Sequence, residues 1–212
     1  MTQAVTAMTV LPVRGDRLRT FLPVMRNNCR QSRGEPGCKQ FDIFLPEGSG
    51  GSLTVFERWT EQSALDRHSQ SAHLAAVNAR AATDVDGDPE QFWLEDIESI
   101  AAPLCGHASE PQRSRNMAIT LTVQSDHRAT FIEGFAKAMA ASRGDEGCLA
   151  YDLYGVRDEP QSFVLFERWR SVEDHLAHLV QAHMDETRAL FAQTLAAPVD
   201  DQARRFLRDL KL

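Results

Sequence analysis

Apolar and polar positions along this chain switch between a period of two and a helical period, and the same order of switches occurs twice. Val5 to Val13 alternates as a strand does, and Gly15-Asp16 leads into a helical run from Arg17 to about Gln31, with Leu18, Phe21, Leu22 and Met25 on one face. Pro23 inside that run predicts a kink or a late helix start. The segment Arg33-Gly34-Glu35-Pro36-Gly37 ends it. Two strands follow, Cys38 to Leu45 and Leu53 to Trp59, joined by a PEGSGGS loop. A second helix is expected from a cap near Thr60 to about Ala82, and a fourth strand from Phe92 to Ile100.

The later half predicts a strand at Ala118 to Val123, a helix at Ala129 to Ser142, and a hairpin of Cys148 to Tyr154 with Phe163 to Trp169. A helix at about Val172 to Thr194 and a last strand within Ala203 to Leu210 complete it. Ser171 and Asp174 stand at capping-box spacing before that helix.

This is a repeat of sequence as well as of pattern. Ser32 to His73 returns ungapped as Ser142 to His183, with 14 of 42 positions identical, where roughly three are expected from composition. Whole domains have therefore been duplicated: a first module at 1–102, a linker at 103–116 and a second module at 117–212. Each reads βαββαβ, the ferredoxin-like order. Leu53, Val55, Glu57 and Trp59 share one sheet face, and Thr54, Phe56 and Arg58 share the other, so both faces need cover. A tethered second sheet supplies it. The predicted fold is α+β, two tandem ferredoxin-like modules packing their antiparallel sheets into a pseudo-dimeric α+β barrel.

Composition changes this picture little. The net charge of −7 and the lack of any Lys/Arg run argue against nucleic acid as a partner. The N-terminal segment has neither a signal-peptide pattern nor a membrane span, which gives a cytoplasmic expectation with no membrane association. Cys29, Cys38, Cys105 and Cys148 lack CxxC spacing and read as reduced, small apolar side chains.

Three paired motifs carry a resemblance. Gly37 to Phe44 and Gly147 to Tyr154 share Gly-Cys-x-x-(Phe/Tyr)-Asp-x-(Phe/Tyr), Phe-Glu-Arg-Trp ends at Trp59 and at Trp169, and a His-x4-His pair follows each. In these the chain resembles the antibiotic biosynthesis monooxygenase domain, including its small quinol monooxygenases. The resemblance implies a dimeric α+β barrel and an oxidoreductase that oxygenates a small quinol or polyketide-like aromatic without a cofactor, with dioxygen as co-substrate. It places the pocket between each module's sheet and helices. Related small barrels often associate further, so a homodimer of the pseudo-dimer is compatible with it.

Such chemistry needs a base titrating near neutrality, a flat apolar slot and a donor for an oxyanion. The candidate bases are the repeated histidines His183, His73, His178 and His68. On a continuous helix, His183 shares the apolar face of Val172, Leu176, Leu179 and Leu190, while His178 points nearly opposite. In the first copy His68 and His73 flank the apolar face equally. Trp59 and Trp169 are expected to wall the pocket, with Phe44, Tyr151, Tyr154 and His175 lining it. Tyr151, Tyr154 and His175 replace Phe41, Phe44 and Leu65, which marks the second copy as the more polar site.

Arg58 and Arg168 are candidate oxyanion donors, and Glu57 and Glu167 could pair with them or with a helix histidine, although a surface or interface ion pair suits these residues better. Asp42 and Asp152 read as an inter-module salt bridge or a site. No metal is expected, because histidines five apart on a helix diverge by about 140°. Two alternatives stand beside the oxygenase. One is a haem-binding or haem-degrading enzyme of the same superfamily, on the spacing of Trp59 to His68 and of Trp169 to His178, with only Asn116, at the edge of its strand, near the first-strand asparagine of such relatives. The other is a non-catalytic small-molecule-binding or stress-related barrel.

Overall fold

The computed structural model describes residues 4–48, 52–97, 100 and 107–212. The chain divides into two units, Met1–Leu94 with Asp209–Leu212, and Glu95–Arg208. Residues 49–51 of the PEGSGGS loop, Cys105 and the start of the expected linker lie outside the described residues.

The first unit is built from β1 (Val5–Pro12), α1 (Leu18–Arg33), β2 (Cys38–Pro46), β3 (Ser52–Trp59), α2 (Gln62–Ser69), α3 (Ala72–Asp84) and β4 (Glu90–Asp96). Antiparallel pairing gives the order β4-β1-β3-β2. The last residues return to this unit, where the Leu210 amide donates to the Ile43 carbonyl at 2.9 Å. The second unit is built from β5 (Arg115–Thr122), α4 (Arg128–Ser142), β6 (Cys148–Val156), β7 (Glu159–Trp169), α5 (Val172–Leu179), α6 (Ala182–Thr194) and β8 (Arg204–Asp209), with the order β8-β5-β7-β6. Both orders are ferredoxin-like, and the fold is α+β with antiparallel sheet, as expected.

Helix α1 continues through Pro23. The proline is exposed, so the missing N–H faces water, while Phe21, Met25 and Cys29 on the buried side hold the helix to the sheet. The capping box also forms: the Ser171 hydroxyl accepts from the Asp174 amide at 3.1 Å.

The second helix of each module differs from expectation. It is two helices, broken at Gln70-Ser71 and at Val180-Gln181. Ser71 and Gln181 adopt extended backbone, with ψ near 148° and 149°, and start a new helix there. At Ser71 the hydroxyl accepts from the Leu74 amide, the ordinary preference of serine for a helix start over a helix interior.

Each unit has its own core. Phe21, Met25 and Cys29 of α1 pack on Phe41, Ile43, Leu53, Val55 and Trp59. Phe131, Phe135 and Met139 of α4 pack on Tyr151, Leu153, Phe163, Leu165 and Trp169. Asp42 and Asp152 are tied within their own modules, each 2.5 Å from a guanidinium nitrogen of Arg33 or Arg143 at the end of the preceding helix. The same arginines donate to the Phe41 and Tyr151 carbonyls, which explains why Arg and Asp recur together.

Candidate functional site

Strand alternation places Leu165, Glu167 and Trp169 of β7 on the face turned to the helices of the second unit. There, between the sheet and α6, lies a cavity of about 520 Å³. Met117, Ile119, Leu165 and Phe191 make its walls apolar, Tyr151 and Glu167 supply polar groups, and Arg188 and Arg204 bring positive charge.

Glu167 is 3% exposed and accepts a hydrogen bond at Oε2 from Trp169 Nε1 at 3.0 Å. His175 Nε2 stands 4.0 Å from the same oxygen. Burial pushes the Glu167 carboxyl up to about 7. Sequence reasoning left Glu167 to pair with an arginine or a helix histidine and favoured a surface or interface ion pair; in the structure it is buried, accepts from an indole and has a helix histidine, His175, beside it. The signal was present, since Glu167 alternates in register with Leu165 and Trp169 on an otherwise apolar face.

Tyr151 borders the same cavity, and burial with the nearby Glu167 holds its hydroxyl well above the ordinary tyrosine value, so it stays a donor. Burial pulls His175 down to about 4, and among the described residues neither ring nitrogen has a hydrogen-bond partner. This imidazole is neutral. The expected wall residues Trp59 and Trp169 are fully buried core residues that steady Glu57 and Glu167 from beside them.

Tyr154 and Arg168, with Phe44 and Arg58 in the first unit, occupy the sheet face opposite to Tyr151 and Glu167 or to Phe41 and Glu57. They do not join the cavity. Arg168 Nε donates to Asn116 Oδ1 at 3.3 Å on that opposite face, so Asn116 is not turned to the cavity either.

The helical-wheel reading of the histidines reverses. The side chain of His178, expected to face outward, is wholly buried and lies tilted against Trp169, with ring centroids 4.5 Å apart. His183 keeps 20% of its side-chain surface, and Leu176, counted on its inward face, is 52% exposed. A wheel assumes one uninterrupted screw, and the break at Val180-Gln181 resets it. The break also turns the two rings together, with centroids 5.5 Å apart and the Asp145 carboxylate at 2.7 Å from His178 Nδ1 and 3.2 Å from His183 Nε2. His68 and His73 meet Glu35 in the same way. The 140° divergence therefore does not occur. His178 turns Nδ1 to Asp145, and its side chain is wholly buried against Trp169.

Among the described residues no helix is long and apolar enough to cross a membrane. Residues 4–80 and 116–190 each match the antibiotic biosynthesis monooxygenase family. The chain is 26% identical over 70 residues to YcnE, a candidate monooxygenase of Bacillus subtilis, a match covering 33% of this chain and 74% of that one. It is 38% identical over 64 residues to Rv0793, a candidate monooxygenase of Mycobacterium tuberculosis, covering 30% of this chain and 57% of that one. A solved structure from Fusobacterium nucleatum superposes with a TM-score of 0.88 at 15% identity, covering 99% of this chain and 94% of its own, which shows a shared fold.

Proposed function

The chain belongs to the antibiotic biosynthesis monooxygenase family, and we propose that its second unit oxygenates a small phenolic or quinol aromatic without a cofactor, with Glu167 as base and dioxygen as co-substrate. Family membership and the names of the Bacillus subtilis and Mycobacterium tuberculosis relatives support a monooxygenase-like activity. The observation that carries the finer reading is a buried carboxyl near pKa 7 at an apolar cavity of small-molecule size.

A phenolic hydroxyl entering the cavity loses its proton to Glu167, whose affinity for protons matches the task at neutral pH. The resulting anion passes an electron to dioxygen, and the radical pair combines at a ring carbon that bears hydrogen, giving a peroxide anion that takes back the proton held by Glu167. The hydroperoxide O–O bond then breaks as the carbon loses its hydrogen, the distal oxygen leaves as water, and the proximal oxygen stays on the product as a carbonyl. The Tyr151 hydroxyl and the Arg204 and Arg188 guanidinium groups are the available donors to the phenolate, in place of the arginines expected from sequence. The helix histidines do not border this cavity, so they give way to Glu167 as the base.

Oxygen uptake with a panel of menadiol-type quinols tests this reading. A rate above the uncatalysed one that falls with Glu167→Gln supports it. No uptake across a broad panel would sink it. If Glu167→Gln keeps the rate and His183→Ala loses it, the base lies on α6 instead.

A further inference from the structure

Each unit brings one carboxylate and two imidazoles to a point. Asp145 lies in the turn after α4, His178 near the end of α5 and His183 at the start of α6, and one ligand atom from each lies within 4.8 Å of the others. Glu35, His68 and His73 form the same group in the first unit. We propose that each unit binds one divalent transition-metal ion through this set of two histidines and one carboxylate, as a structural ion independent of the oxygenation.

The two groups present the same ring nitrogens to the carboxylate, Nδ1 of the earlier histidine and Nε2 of the later one. Ring centroids are 5.5 Å apart and the ring planes meet at 45° in each. Nitrogen-to-oxygen separations run from 2.5 Å to 3.3 Å. Ligands at about 2.0–2.1 Å from one ion stand roughly 3.0–3.5 Å from each other, so small side-chain rotations complete the site. Copies that agree at only 14 of 42 positions keep an acid at 35 and 145 and histidines at 68, 73, 178 and 183.

The surroundings of the rings suit ligation. His73 Nδ1 lies 2.8 Å from the Asn28 side-chain oxygen and its Nε2 lies 2.5 Å from Glu35 Oε1, a gap that a small side-chain rotation opens to the spacing of two ligands. A ligating imidazole with its other N–H on a carbonyl oxygen is also the usual second-shell pattern. In the second unit His183 Nε2 is near Asp145 but outside hydrogen-bond geometry, and among the described residues it has no hydrogen-bond partner.

Backbone geometry protects the arrangement. Gly37 and Gly147, two residues after the acids, have φ of +92° and +77°, and a Cβ at Gly147 would overlap the Asp174 side chain. The later histidine and the acid of each set keep 14–20% of their side-chain surface, enough for an ion to enter. Three protein ligands leave positions for water, and the imidazole-carboxylate mix suits zinc, iron(II), cobalt or nickel.

The test uses the full chain after chelator treatment, titrated with Zn²⁺ by calorimetry and with Co²⁺ by visible absorption. Two ions per chain are expected, with ligand-field bands for Co²⁺ and a raised melting temperature in Zn²⁺. His183→Ala should bind one ion, and the double variant with His73→Ala none. These histidines are partly exposed, so the variants should fold, as circular dichroism would verify; Asp145→Asn gives a milder probe that should weaken one site. Failure to bind Zn²⁺ or Co²⁺ overturns the proposal, and so does a stoichiometry that the double variant leaves unchanged. Neither readout depends on oxygenase activity, so failure here and failure of the oxygenase reading are separate results.

Discussion

The two units hold the same glutamate on the same strand beside the same tryptophan, and they surround it differently. Trp59 Nε1 donates to Glu57 at 2.8 Å and Trp169 Nε1 to Glu167 at 3.0 Å. Across the sheet face Glu57 meets Phe41, where Glu167 meets Tyr151, and Leu65 stands where His175 does. Above them, α4 and α6 contribute Phe135 and Phe191, stacked at 6.1 Å with an interplanar angle of 9°, where the first unit has Met25 and Ala81. Phe135 also stacks on Tyr151. The second unit thus pairs its titratable carboxylate with parallel rings and a phenol donor. Position alone does not make a base; the surrounding aromatic layer and the donors do.

The sharpest way to break this comparison is to neutralise each glutamate in turn. Glu167→Gln is expected to lower quinol-dependent oxygen uptake by roughly 10²- to 10⁴-fold, and Glu57→Gln by less than about twofold. An equal loss from both would mean that both units turn over. Uptake should also fall as pH drops below about 7, where Glu167 becomes protonated, and the Gln variant should lose that profile.

Stability should show the same group with the opposite consequence. Folded Glu167 keeps its proton up to about 7, whereas the ordinary carboxyl value is 4.5. The stability this contributes is complete below about 4.5 and is lost as pH rises toward 7, to a limit of about 3 kcal/mol. Denaturant titrations of wild type and Glu167→Gln at several pH values check it: the difference between them should change with pH across that window. A flat difference would show that Glu167 titrates normally.

Tyr151→Phe makes the second site resemble the first. Loss of one donor is expected to cut turnover by roughly 10- to 100-fold with little change in melting temperature. A variant with unchanged turnover would leave the arginines as the working donors.

How much of this could be read from the chain follows from which signals are local. Element order and both sheet orders are legible because alternation in Val5 to Val13 or Phe163 to Trp169 records one buried face directly. The histidine geometry is not legible, because Val180-Gln181 contains neither Gly nor Pro and looks like continuous helix. Val180 is 83% exposed, an apolar residue that misleads a wheel. Glu167 was masked by its neighbour Arg168, since an adjacent acid and base suggest a surface pair until burial is known. The convergence of Asp145 on His178 and His183 depends on a turn and a helix break together, although acids at both 35 and 145 were a visible hint.

The smallest predicted difference between the units concerns how their broken helices begin. In the second unit α5 is capped by Ser171, whereas α6 starts at Gln181 without a side-chain cap. In the first unit the assignment is reversed: α2 starts at Glu61 without a side-chain cap, and Ser71 caps α3. Each copy therefore secures a different side of the break that brings its histidines together. Ser171→Ala and Ser71→Ala should each cost about 1 kcal/mol in denaturant unfolding. Gln181→Ser should stabilise by a few tenths to about 1 kcal/mol, because the extended backbone at that position already suits a cap. If Gln181→Ser destabilises instead, the glutamine side chain contributes more to the break than a cap would, and the two copies hold their paired histidines by different means.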